Sequence, residues 1–146
     1  MSEAVKPLWA ETKTVEIDGM PIALKRVGTP EDPMLWDRLE RRWIRQNADI
    51  DRAIRAKLAK EHGSLEAAAR DRGFDGEGAV AECVRSEAFM SEEYMDAWST
   101  RVRDLVVHGV VDGANLYVEI HSRFGPDGLV KLAGQIVEYN RPSPKS

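Results

Sequence analysis

Three histidines, a single cysteine and a series of regularly spaced arginines are the residues of this chain whose types could do chemistry. His62 and His108 each stand just before a glycine, Gly63 and Gly109, in the last turn of a predicted helix. An imidazole there complements the negative helix end. No HExxH or CxxC spacing surrounds either one to complete a metal shell. Glu119 and His121 would share a face if their segment were a strand, yet they are two ligands where zinc takes at least three from protein. Cys83 falls on the apolar side of a predicted helix, the position of a buried, inert thiol. Glu92, Glu93 and Asp96 open another helix, where acids complement the dipole without catalytic duty. The glycines of "FDGEG" and "FGPDG" lack the Lys-Ser/Thr or strand context of a phosphate cradle. The expectation is a protein that is not an enzyme, with no catalytic, metal or cofactor site.

The arginines point to a different chemistry. Arg38, Arg45 and Arg52 repeat every seven residues, with Arg41 nearby. At about 100° per residue they fall opposite the apolar stripe of the same helix. Such a face is either solvated or a contact surface for an acidic protein, since guanidinium grips carboxylates in two places. Nucleic acid is the weaker candidate, because Asp49 borders the stripe and the chain carries a net charge of −4. Trp9 precedes the first strand and either caps the core from outside or serves as an anchor for a partner. Trp36, Trp43 and Trp98 lie on apolar stripes and read as core.

These residues must be positioned by a mainly helical fold with one β element at its front. In "VEIDGMPIALKRV" the pair Asp18-Gly19 favours a two-residue type I′ turn. That turn pairs Ile17 with Met20, Glu16 with Pro21 and Val15 with Ile22. Val15, Ile17, Met20, Ile22 and Leu24 then share one face, the agreement that makes residues 14–27 a hairpin. Pro21, whose missing N–H points away from the first strand, predicts that the second strand is a sheet edge. Met20 and Pro21 are therefore candidate contact residues on that edge.

"GTPEDP" predicts a helix start, with Thr29 or Asp32 as cap and a proline at the first helical position. One long helix over 33–62 follows, carrying Trp36, Leu39, Trp43, Ile50, Ile54 and Leu58, with a kink possible near Asn47–Asp49. Gly63 closes it. Residues 64–140 read as a helical remainder. Short helices begin at Ser64 and near Ala79, and Ser91 caps a helix with Tyr94, Met95, Trp98, Val102, Leu105 and Val106 as its stripe. Residues 110–125 alternate like a strand at Leu116, Val118 and Ile120 but suit a helix equally. A last helix follows "GPDG", and 141–146 is a polar tail.

The 146 residues suit one domain, and 42% apolar with 32% charged residues is a globular composition. No apolar run approaches the roughly 20 residues of a membrane span, and the N-terminus lacks a signal-peptide pattern. One cysteine and no leader make the cytoplasm the expected location. Charge is uneven along the chain. Residues 37–61 hold eight Lys/Arg against five Asp/Glu, while 75–96 hold seven acids against Arg85 alone. Two segments of opposite sign can face each other within the fold or meet a partner.

The order of "TVEIDGMPIALKRVG", "PEDPMLWDRLERRW" and the closing "RDLVVHGVVDGANLYVEIHSRFGPDGLVKLAGQIVEYNRP" resembles the tail assembly chaperones of long-tailed bacteriophages. The resemblance covers most of the chain in layout and no single motif, and the apolar "VVDGANLYVEI" departs from the polar stretch expected there. It implies a small helical domain, opened by a β element, that binds tape-measure and tail-tube proteins in the host cytoplasm. It assigns no residue a role. Other readings stay open: a small phage-type inhibitor of a host protein, an accessory subunit of a larger complex, or an enzyme with a scattered site. Protein partners, Arg38, Arg41, Arg45, Arg52, Trp9, Met20 and Pro21 as contact residues, and possible oligomerisation complete the expectation.

Overall fold

The computed structural model describes residues 11–141 and has the helix-dominated α+β fold. Strands β1 (Thr12–Ile17) and β2 (Met20–Lys25) precede α1 (Leu35–His62), α2 (Leu65–Asp71), α3 (Ala79–Phe89), α4 (Glu92–Gly109) and α5 (Gly113–Asn140). Trp9 and residues 142–146 of the tail lie outside the described residues. No helix among the described residues is long and apolar enough to cross a membrane. The described residues form two compact units, one of those up to Glu40 together with those from Thr100 onward, the other Arg41–Ser99. The boundary falls inside α1 and α4, not in a linker.

In the first unit the hairpin has the register its turn dictates: Ile17 pairs with Met20, Glu16 with Pro21 and Val15 with Ile22. Asp18 and Gly19 have φ of 48° and 85°, the positive values a type I′ turn requires. Ile17, Ile22 and Leu24 are buried, with Val15 and Met20 half-buried beside them. The hairpin is tied to α5 at both ends. At the turn, Lys131 Nζ bonds Asp18 Oδ1 at 2.9 Å. Beyond β2, the Val27 N–H donates to Asn140 Oδ1 at 2.7 Å, and Arg26 donates to the Tyr139 carbonyl. The Arg26 guanidinium also lies 4.1 Å from the centre of the Tyr139 ring. A cation on the last carbonyls of a helix offsets acceptors that have no partner within it. The sheet is therefore a cover for α5, whose Leu129, Leu132, Ala133 and Ile136 are buried.

The start of α1 differs from the sequence expectation. Thr29 and Asp32 bond each other through backbone, and Thr29 Oγ1 accepts from the Asp32 N–H at 3.1 Å. They close a turn instead of capping the helix. α1 begins at Leu35, two residues past Pro33. The Asp32 backbone is committed to that turn and its carboxylate to Arg38, so neither caps a helix at Pro33.

α1 runs unbroken to His62. Asn47 folds its amide back onto the Trp43 carbonyl at 2.8 Å, four residues earlier. The amide is satisfied without displacing a rung of the ladder. Residues 113–124 resolve to helix, not strand: Ile120 is 4% exposed while Val118 is 74% exposed, so alternation is absent from the burial. Gly125, with φ 62° and ψ −171°, breaks α5, and Pro126 opens its second leg.

The second unit is centred on Ile54, Leu58, Ala68, Ala69, Cys83 and Val84. Ser64 caps α2 through the Ala67 N–H at 3.0 Å, and Ser91 Oγ accepts from the Tyr94 N–H at 3.1 Å. Cys83 is a buried free thiol. Small alanines on α2 let it approach α3 closely, which is how a seven-residue helix contributes to a core.

Candidate protein-binding surfaces

The two outer edges of the hairpin are unequal. In this register Ile17–Met20 and Val15–Ile22 are the hydrogen-bonded pairs, so residues 12, 14 and 16 of β1 and 21, 23 and 25 of β2 direct backbone groups outward. On β2, Pro21 has no N–H, and the Ala23 carbonyl accepts from the Val111 N–H at 2.9 Å. Leu24 is bridged to Val110 as well. The β2 edge, expected from Pro21 to be the open one, is thus largely closed. β1 is the open side: Thr12, Thr14 and Glu16 are exposed, and among the described residues no backbone bond reaches their outward groups. Met20 is half-buried with Arg123 Nη1 3.7 Å from its sulfur, and Pro21 is exposed.

The arginines of α1 divide into paired and unpaired. Arg38 pairs with Asp32 through both carboxylate oxygens, 2.9 Å at the longer contact. That bond holds the Asp32 carboxyl below its ordinary range and raises Arg38. Arg52 bonds Asp49 at 3.1 Å. Arg41 and Arg45 are exposed, with no ion-pair partner among the described residues.

The second unit carries an aromatic group that sequence reading placed in the core. The Trp43 ring lies 6.0 Å from that of Tyr94 and 5.9 Å from that of Trp98, and Phe89 meets Tyr94 edge-on at 5.0 Å. Both tryptophans are only half-buried. Around them Ile44 is 64%, Phe89 55%, Met90 76% and Met95 59% exposed. Met95, expected on the buried stripe of α4, faces solvent. Arg101 is buried on that helix instead, paired to Glu40, with its guanidinium 5.7 Å from the centre of the Trp36 ring. The spacing Trp98, Arg101, Leu105 was the available sign that an arginine sits on the apolar side.

His62, Glu119 and His121 make structural contacts. His62 Nδ1 lies 2.8 Å from Asp71 Oδ2. Glu119 is 3.9 Å from Arg123, while His121 packs on Tyr117 with ring centres 6.0 Å apart. On a helix Glu119 and His121 point to different sides, so the shared face of the strand alternative is absent. No cluster of metal-ligating side chains exists among the described residues. An open cleft of about 510 Å³ near Phe74 and Val80 is mostly apolar, and the arginine on it, Arg55, is bonded to Asp51 at 2.9 Å.

No protein-family model, curated protein or solved structure matches this chain.

Proposed function

We propose that this chain is a non-enzymatic protein-binding assembly factor acting in the cytoplasm, of the kind the phage tail chaperones represent. It takes up an extended segment of its client along β1. The observation that carries this reading is the asymmetry of the hairpin. β2 is closed by Pro21 and by the bond from Val111, while β1 turns exposed backbone outward at Thr12, Thr14 and Glu16. Added strands gain main-chain hydrogen bonds along such an edge and side-chain specificity at alternate positions. Within the phage reading, the client is a tape-measure or tail-tube protein and the cytoplasm is that of the host.

Affinity capture with the tagged full-length chain, followed by mass spectrometry, tests the function. Thr14→Pro tests the mode. Thr14 occupies a non-hydrogen-bonded position of the ladder, as Pro21 does opposite Glu16, so proline removes an outward N–H without breaking a hairpin bond. Capture of defined clients by the wild type and its loss in Thr14→Pro, at unchanged circular dichroism and Tm, is the expected result. Equal capture by both proteins refutes strand addition, and capture of nothing above background refutes the assembly-factor reading.

A further inference from the structure

The exposed patch of the second unit has an internal order that specifies its occupant. Lys57 of α1 lies 3.6 Å from Glu87, and Trp43 lies beside Tyr94 and Trp98. Glu40 and Trp36, earlier on α1 than Trp43, contact Arg101, later on α4 than Tyr94 and Trp98, so α1 and α4 run in opposite senses. In antiparallel right-handed helices, residues that follow the contact residue emerge on the same side of the pair. Ile44 follows Trp43 and Met95 follows Tyr94, so both exposed side chains stand on one side of the aromatic contact.

The charges beyond them mirror each other. At about 100° per residue, Arg41 and Arg45 lie roughly 160° and 200° round α1 from Trp43. By the same count Glu92 and Asp96 lie roughly 160° and 200° round α4 from Tyr94. All four are exposed, and none has an ion-pair partner among the described residues. The surface reads across as two cations, an apolar centre of Ile44, Met95 and the neighbouring aromatics, and two anions. Phe89 and Met90 extend that centre at the start of α4.

The geometry points to a second copy of this chain as the occupant. A patch with opposite charges on its two flanks is complementary to itself under a two-fold rotation. A two-fold axis that lies over the Trp43–Tyr94 contact, outside the face, and runs along the two helices lays each copy's Arg41 and Arg45 over the other's Glu92 and Asp96 and stacks the apolar centres. A wholly acidic or wholly basic partner would meet repulsion on one flank, which disfavours either. Aromatic and methionine side chains at the centre suit a dimer contact, because they bury large area and adapt in shape. This inference is independent of the β1 edge and of the client.

Charge exchange between copies tests it. Arg41→Glu/Arg45→Glu forms one variant and Glu92→Arg/Asp96→Arg the other. Each dimer of like variants sets equal charges opposite each other at both flanks, whereas a mixed dimer restores attraction at both. Light scattering after size exclusion, with circular dichroism to establish folding, is the readout. The expected result is a dimeric wild type, at least a tenfold weaker Kd for each variant alone, and recovery of the dimer on mixing. A monomeric wild type at hundreds of micromolar, or variants that stay dimeric, or a mixture that stays monomeric, overturns the proposal. Met90→Glu, which leaves the four charges intact, is a second probe. It weakens the dimer if the apolar centre is buried, and an unchanged Kd counts against the interface.

Discussion

A Cβ built on Gly109 would stand 2.5 Å from Cγ2 of Ile136, so the last turn of α4 and the second leg of α5 touch through a missing side chain. Ile136 is fully buried and β-branched, with little freedom to turn aside. Gly109→Ala should therefore destabilise the first unit by about 1–3 kcal/mol through overpacking, despite alanine's better helix propensity. Urea unfolding measures it. A gain in stability would mean that the two helices separate at little cost.

Gly19 supplies the second positive φ of the hairpin turn, at 85°, with open space around it. Sterics outside the residue are absent, so the effect of substitution isolates the backbone. Gly19→Val should cost about 1 kcal/mol or more, and Gly19→Asn less, because asparagine tolerates that conformation. Equal losses for both would show that the turn does not depend on this φ.

Arg101 and Glu40 form an ion pair that water reaches from one side only. The arginine side chain is 6% exposed and the glutamate 30%. Glu40→Gln removes the counter-charge of a guanidinium that solvent scarcely touches. Arg101→Met removes the charge and keeps most of the packing against Trp36. The expected order is a loss of about 1–3 kcal/mol for Glu40→Gln and a smaller one for Arg101→Met. The reverse order would place the value of Arg101 in its hydrogen bonds.

Two groups give opposite pH signatures. Burial pushes the Tyr94 phenol above its ordinary value. Its contribution is complete below the unfolded pKa near 10 and is lost as pH rises through the folded pKa. Unfolding melts between pH 8 and 11.5 should show a decline that is reduced in Tyr94→Phe. Asp32 is shifted the other way by its bond to Arg38. Its contribution is present above the ordinary carboxylate pKa and fades as pH falls through the lowered one. An NMR titration should place its midpoint below the ordinary aspartate value, and Arg38→Gln should return it.

The hairpin was legible to the residue because a two-residue turn fixes the parity of every later pair, and the apolar face agreed with that parity. The body of α1 and the burial of Cys83 were legible from a 3.6-residue stripe, and the helix starts at Ser64 and Ser91 from cap chemistry. Residues 113–124 were not, because Leu116, Val118 and Ile120 fit either period and packing alone selects the helix. β2 is a sheet edge as Pro21 predicts, but its outer side is not free. Pro21 announces a vacant outward donor on β2, but Val111, nearly ninety residues later, approaches that same side. Met95 left its expected place on the buried stripe of α4, and Arg101, which that stripe did not include, is buried, because a stripe of spacings cannot tell a long apolar side chain at a helix margin from a charge that finds Glu40.

The proline and the Val111 bond on β2 also set a limit on growth. Two copies of this hairpin that paired β1 to β1 would turn only their β2 sides outward, and growth between copies would stop there. Whatever strand docks on β1, the hairpin has no symmetrical second berth from which a ribbon of successive molecules could extend. On the β2 side, at least, the fold carries its own safeguard against edge-to-edge stacking.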